Sequence, residues 1–194
     1  MRYTYWLIVL LLCNGCRPRV PETPWTTLKV DDQLLVQLPA QPQEISAPDI
    51  MATLHPQRKQ DDLVEDTQVY RLEDTSAVYV VIRIPMLREP PFSPDPEVRK
   101  SYYLSRAIPL MMNQASSILL EQSVVQQNGF DRITVKYREE NPEGIPIIKY
   151  THMLTVGKAV YQLHFLPLRQ SGDFKEAERL RFFNSVEIQQ PAED

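Results

Sequence analysis

Residues 147–167, IIKYTHMLTVGKAVYQLHFLP, contain two alternating runs of apolar residues on either side of Gly157-Lys158. Because successive side chains of an extended chain point to opposite faces, each run predicts a β-strand. Glycine at the first central position of the connection favours a two-residue type II′ turn, whose twist matches that of paired antiparallel strands. The turn predicts a hairpin whose bulky apolar side chains share one face, with the cross-strand pairs Val156–Ala159, Leu154–Tyr161, His152–Leu163, Tyr150–Phe165 and Ile148–Pro167.

The chain before this hairpin carries further signals of antiparallel sheet. Asn128-Gly129 is a strong turn pair and predicts a second hairpin. Apolar residues occupy both faces of the run Ala77–Ile84, which predicts a central strand covered on both sides. The other predicted strands are Trp25–Val30, Gln33–Leu38, Ile50–Leu54, Thr67–Leu72, Ser123–Gln127 and Asp131–Tyr137.

Helical spacing of apolar residues occurs in two places. The longer predicted helix covers Glu97–Gln122, with Asp95 as its N-cap and a kink, or a break into two helices, at Pro109. A shorter helix is predicted to begin at a capping Asp173. Its expected buried side consists of Phe174, Ala177, Leu180 and Phe183. The elements together predict an α+β fold, an antiparallel sheet packed against one long kinked helix or helix pair and a short C-terminal helix.

Composition and charge limit the class of protein. The chain has 194 residues, a formal net charge of -4 and a sequence pI near 5.5, which fit one globular domain with a short appendage. Basic residues are interspersed with acidic ones instead of forming a stripe, so a nucleic-acid partner is not expected. Both cysteines, Cys13 and Cys16, lie at the start of the chain and leave none for a disulfide or thiol chemistry in the body.

The N-terminus predicts export and attachment to a membrane. Arg2 supplies a positive charge, Tyr5–Leu12 is an apolar run too short to span a bilayer, and Gly15 precedes Cys16. Gly15-Cys16 resembles the lipobox of bacterial lipoproteins, which implies a lipidated Cys16; an uncleaved anchor is the alternative. The predicted organisation is a signal peptide over 1–16, a Pro-rich tether over 17–24, one domain over 25–190 and an acidic tail over 191–194.

Chemical motifs do not indicate an enzyme. The chain has no Gly-rich phosphate loop, no H-E-x-x-H and no G-x-S-x-G. In the predicted register His152 lies at the core margin and His164 on the opposite face, so the two cannot share a metal ion. Adjacent carboxylates such as Asp31-Asp32 and Asp61-Asp62 are typical of solvated turns. We therefore expect no catalytic residue, no metal site and no cofactor.

The order of elements resembles the PsbP/Mog/DcrB-like superfamily of α/β/α sandwiches. The matching features are the strand ending in proline at Leu34–Pro42, the Gly-x-x-x-Tyr hairpin at Gly157–Tyr161 and the late helix entering Phe182–Val186. Members of that superfamily include a photosystem II extrinsic subunit, a partner of a small GTPase and bacterial lipoproteins. The resemblance implies a non-enzymatic module that docks to another protein.

Two functions are therefore open. The first is a docking or assembly module that faces the periplasm from the outer membrane of a bacterial cell envelope, with an envelope protein as its partner. Its candidate partner surface is Arg88, Phe92, Lys136 and Arg138. The second is a carrier of a small apolar ligand between helix and sheet. The candidate walls of that pocket are Tyr102, Met111, Tyr150, Tyr161 and Phe165.

Overall fold

The computed structural model of the protein describes residues 24–47, 65–86, 93–112, 117–127, 130–140, 144–168 and 175–189. The predicted signal peptide, most of the tether, the acidic tail and the predicted strand Ile50–Leu54 lie outside these residues. The described strands are β1 (Thr26–Lys29), β2 (Leu34–Leu38), β3 (Gln43–Ile45), β4 (Gln68–Glu73), β5 (Ala77–Pro85), β6 (Ser117–Gln127), β7 (Phe130–Glu140), β8 (Pro146–Val156), β9 (Ala159–Pro167) and β10 (Glu187–Ile188). The helices are α1 (Pro96–Tyr102), α2 (Ile108–Met111) and α3 (Glu176–Asn184).

A seven-stranded antiparallel sheet has the order β3-β4-β5-β9-β8-β7-β6. The predicted register of its β8–β9 hairpin is confirmed from Tyr150–Phe165 to Val156–Ala159. Gly157 has a φ of +56°, which glycine adopts at low cost, and a Cβ at this position would lie 2.7 Å from Nε2 of Gln33. The positive φ thus favours glycine at this turn, whereas the flexible end of the Gln33 side chain can move to make room for a Cβ.

A separate small sheet of order β1-β2-β10 lies beside the large one. Asp31 stabilises the turn between β1 and β2. Its Oδ1 accepts hydrogen bonds from the backbone amides of Gln33 and Leu34 at 2.9 and 3.0 Å. The other carboxylate oxygen accepts from Nε of Arg83 at 2.5 Å and from the hydroxyl of Tyr161 at 2.6 Å. Hydrogen bonding and the neighbouring guanidinium hold the pKa of Asp31 below its usual value, despite partial burial. One carboxylate therefore joins the turn of the small sheet to two strands of the large one.

The long predicted helix is correct only in its first half. Asp95 caps α1 as expected, accepting from the amide of Glu97 at 2.9 Å. A π-helical segment, Tyr103–Ala107, then leads to α2, which ends at Met111. The segment from Ser117 is the strand β6, because its residues pair with β7 over the full length of a hairpin. The predicted hairpin around residues 128–129 is thus longer than expected, and Gln127 pairs with Phe130.

The large sheet is covered on both faces. One core joins it to the small sheet and to α3, with Tyr79 at its centre; the Tyr79 ring meets those of Phe165 and Phe182 edge-on at 5.3 Å. The opposite core packs Tyr103, Ile108, Met111 and Met112 against β7 and β8. Arg99 of α1 also donates to Asp131 of β7 at 2.7 Å. Mixed α and β layers therefore confirm the predicted α+β fold.

The C-terminal helix begins later than predicted and buries another face. Lys175 is its N-cap, with a φ of +60° and no side-chain cap, while Asp173 lies outside the described residues. The buried residues are Arg179, Phe182 and Phe183, whereas Leu180 and Ala177 are exposed. The predicted burial of Phe183 is confirmed and that of Ala177 and Leu180 is wrong, while Phe174 lies outside the described residues. The prediction also left out Arg179, which is buried.

Candidate functional site

The free edge of β6 is a candidate binding surface. β6 is an 11-residue strand at one end of the large sheet, and within the described residues only β7 pairs with it. A register shift between Leu119 and Glu121 marks a β-bulge at Leu120. Four apolar side chains of this strand are at least 40% exposed: Ile118, Leu119, Leu120 and Val125. We call this surface the β6 edge.

Long, exposed apolar edges are unusual because they invite pairing with another chain. The opposite edge of the same sheet, β3, is only three residues long and carries polar Gln43 and Glu44. The β6 edge is longer than β3; it has a bulge and the polar residues Glu121, Gln122 and Ser123, but its apolar side chains remain exposed. This asymmetry makes the β6 side of the sheet the better candidate for contact with a partner.

A cleft lies directly beside this edge, between α3 and strands β6, β7 and β8. We call it the α3 cleft; it has a volume of about 300 Å³. Strand residues supply its floor and one wall, and α3 supplies the other wall. The lining residues are Glu121, Gln122, Ser123, Thr134, Val135, Lys136, Tyr150, His152, Arg179, Leu180, Phe183 and Asn184.

Two cations lie at the aromatic ring of Tyr150 inside the cleft. The guanidinium carbon of Arg179 is 3.9 Å from the ring centre, and Nζ of Lys136 is 5.9 Å from it. Both distances fall within the range of cation–π attraction. Nζ of Lys136 also forms an ion pair with Glu121 at 2.8 Å. The floor of the cleft is thus the Tyr150 ring, with the positive charges of Arg179 and Lys136 close to it.

His152 forms the other flat surface of the cleft. Its ring stacks on that of Phe183, with centres 3.8 Å apart and an interplanar angle of 14°. Burial lowers the pKa of His152 to about 3, with further contributions from the positive charges of Arg132 and Arg179. The imidazole is therefore neutral at pH 7. His164 lies on the opposite face of the sheet, where its Nδ1 is 2.9 Å from the hydroxyl of Thr151.

Three of the five residues predicted to line a pocket, Tyr150, Tyr161 and Phe165, belong to one core, and the other two do not join them. Tyr150 lines the α3 cleft, whereas Tyr161 and Phe165 are fully buried in the core beside it. Met111 belongs to the core on the opposite face of the sheet, and Tyr102 is 43% exposed on α1. The observed cleft faces α3 and not the long helical segment, because the large sheet separates the two.

The predicted partner surface is described only in part. Lys136 lies in the α3 cleft, and Arg138 is exposed two residues further along β7, opposite Ile118 of the β6 edge. Arg88, Phe92 and Cys16 lie outside the described residues. The two described residues of the predicted surface therefore adjoin both the cleft and the free strand.

Sequence reasoning did not single out Arg179 and Phe183 as functional. Arg179 stands three and four residues before Phe182 and Phe183, a spacing that places all three on one helix face. An arginine inside an apolar stripe was the available signal. Glu121 was missed for another reason, since its segment was assigned to a helix and not to a strand beside Lys136.

The described residues support neither a metal-ion site nor a membrane-spanning helix. There, no three side chains of the types His, Cys, Asp and Glu are grouped so that they could bind a metal ion. None of the described helices is long and apolar enough to cross a membrane.

Comparison with known proteins supports the fold and does not extend to a function. No protein-family model matches the chain, and no curated protein matches its sequence. The solution structure of cyanobacterial PsbP from Synechocystis sp. PCC 6803 is similar, with a TM-score of 0.55 and 12% identity over 90% of this chain and 98% of that one. The α+β domain therefore has a PsbP-like fold.

Two further solved structures match over most of this chain at lower similarity. One is a Pseudomonas aeruginosa protein of unknown function described as a putative regulator, with a TM-score of 0.46 and 10% identity over 87% of this chain and 99% of that one. The other is a Bacteroides thetaiotaomicron protein, with a TM-score of 0.45 and 13% identity over 86% of this chain and 49% of that one.

Proposed function

We propose that the protein is a non-enzymatic docking module of a bacterial cell envelope, tethered to the outer membrane through a lipid on Cys16 and facing the periplasm. The observation that carries the docking function is the β6 edge, a long free strand with four exposed apolar side chains. An extended segment of an envelope protein can extend the sheet there by pairing with β6. In such strand addition, backbone hydrogen bonds supply affinity and alternate side chains supply specificity.

The residues around the β6 edge favour a partner segment that contains both apolar and negatively charged residues. Ile118 and Val125 lie on the α3 side of the strand, opposite Arg138 and Arg132 in the β6–β7 register. Leu119 lies on the other side, opposite Tyr137. An added strand would meet apolar side chains on both faces and positive charge on one. We therefore expect the partner segment to alternate apolar residues with at least one carboxylate.

Site-specific photocrosslinking in intact envelopes tests the docking surface. Benzoylphenylalanine replaces Ile118 in one variant and Val98 of α1 in the control; these two side chains are 52% and 53% exposed. We expect a reproducible protein adduct from position 118, absent from position 98 and lost when Leu119 and Leu120 are both changed to lysine. Equal adducts from both positions, or none from position 118, would contradict docking at the β6 edge.

Metabolic labelling with a fatty-acid probe tests the tether separately. Cys16→Ser is expected to abolish incorporation of the probe, because the lipobox resemblance assigns the lipid to that thiol. The matched control is Cys13→Ser, which should retain the label. Labelling that persists in Cys16→Ser would disprove the tether while leaving the docking surface open to its own test.

A further inference from the structure

The α3 cleft holds more positive than negative charge. Lys136 and Arg179 line it, together with the single carboxylate of Glu121. Arg132 adds a third cation nearby, since its charge depresses the pKa of His152. Nε of Arg132 is buried and has no hydrogen-bond acceptor within the described residues. Positive charge in a partly buried site attracts anions more strongly than the same charge in bulk water.

Two of the carboxylates that contact these cations are exposed to solvent. The side chain of Glu121 is 71% exposed while it pairs with Lys136. Glu176 approaches NH2 of Arg179 only to 3.7 Å, and its side chain is 57% exposed. Exposed ion pairs contribute little free energy. A ligand carboxylate that enters the cleft can therefore compete with these partners for both cations.

The walls of the cleft suit a flat apolar group. The Tyr150 ring lies under the guanidinium of Arg179, and the neutral imidazole of His152 lies parallel to the Phe183 ring. Aromatic and guanidinium faces pack favourably against planar groups. The volume of about 300 Å³ is at the small end of the range for ligand pockets. Shape and charge thus indicate one kind of small molecule.

We propose that the α3 cleft is a binding site for a small organic anion, a carboxylate carried on a flat apolar body. The carboxylate binds Lys136 and Arg179, and the apolar body packs on His152 and the exposed Leu180, because Arg179 and His152 already cover the ring faces of Tyr150 and Phe183. This ligand differs from the small apolar ligand that was the alternative from the sequence, because two cations line the cleft. The proposal does not depend on docking at the β6 edge or on the lipid at Cys16.

Equilibrium dialysis of the full-length chain in lipid nanodiscs, with empty nanodiscs as the blank, tests the proposal. The probe is 2-naphthoate, and its neutral isostere 2-naphthamide is the matched control. We expect a submillimolar dissociation constant for naphthoate and at least about tenfold weaker binding of the amide. Equal binding of the two compounds, or no binding of naphthoate up to about 5 mM, would overturn the proposal.

Three substitutions locate the site. Lys136→Gln should weaken naphthoate binding about fivefold or more, whereas Arg138→Gln, on the same face of β7 but outside the cleft lining, should change it less than about twofold. Glu121→Gln should tighten binding, because it removes the competing carboxylate from Lys136. Circular dichroism must show that this variant is folded, because partly folded states also bind aromatic anions. Unchanged or weaker binding in Glu121→Gln, or equal losses in the two cation variants, would place any naphthoate elsewhere and overturn the proposal.

Discussion

The two hairpins of the large sheet differ in what surrounds them. In the β8–β9 hairpin, β9 pairs with β5 on one side and β8 on the other, and Leu163 and Phe165 are fully buried. In the β6–β7 hairpin, β7 is the one strand of the described residues that pairs with β6, and the side chains of β6 are mostly exposed. Both hairpins contain long antiparallel strands with apolar residues. Position in the sheet therefore decides whether such residues stabilise the fold or remain available for binding.

The difference has a direct energetic meaning. Burying a large apolar side chain contributes about 1.5–3 kcal/mol by removing its surface from water. β9 receives that contribution from both faces, whereas the exposed residues of β6 receive only part of it. Contact with a partner would bury these side chains further. The free energy gained by that burial would stabilise the complex and not the fold of the protein alone.

Truncating the central hairpin should have the largest effect. Phe165→Ala removes a fully buried ring that meets Tyr79 and Tyr150, and we expect the free energy of unfolding to fall by about 3–5 kcal/mol. Urea denaturation followed by circular dichroism measures it. Ile118→Ala of β6 is the control and should cost less than about 1 kcal/mol. Equal losses in the two variants would break the distinction between centre and edge.

Lowering the pH should have an intermediate effect on the free energy of unfolding. The effect comes from His152 of β8, the strand that lies between β9 and β7. Its folded-state pKa of about 3 lies below the ordinary value of 6.5, so above pH 6.5 both the folded and the unfolded states are neutral. Below pH 6.5 the unfolded chain gains a proton that the folded one does not, and the free energy of unfolding falls by up to about 1.4 kcal/mol per pH unit towards pH 3. At pH 5 the expected loss is about 2 kcal/mol.

Urea denaturation at pH 7.5, 6 and 5 measures this slope, with His152→Gln as the matched variant. The variant should show a flatter dependence on pH in that interval. The lowered pKa values of Asp31 and Asp74 act only at lower pH, because their ordinary value is 3.8. Identical slopes in the two proteins would show that burial does not hold His152 neutral.

Changing the exposed edge should have the smallest effect on stability. Ile118→Ser and Val125→Ser alter side chains that are each 52% exposed, and we expect the free energy of unfolding to stay within about 0.5 kcal/mol of the starting protein. The same urea measurement checks this. Losses above about 1.5 kcal/mol would mean that the β6 edge is part of the fold's core contacts and not a surface for a partner.

The candidate site could be predicted only in fragments. Lys136 and Tyr150 were both named from the sequence, one for a partner surface and the other for a pocket, and the structure brings them to one cleft. Arg179 escaped notice because its burial depends on the strands that cover α3. The stacking of His152 on Phe183 joins residues 31 positions apart, a distance over which local pattern has no information.

The amino-acid sequence by itself determined the β8–β9 register, the Asp95 cap and the central position of Ala77–Ile84. Alternation, turn chemistry and capping act between neighbours along the chain, so they can be read locally. Only the tertiary structure decided that residues 117–122 form a strand and that β1, β2 and β10 form a separate sheet. The apolar spacing of residues 117–122 fits a helix as well as a strand, and pairing with β7 selects the strand. Which sheet a short strand joins depends on partners far away in the sequence, as the pairing of β2 with β10 shows.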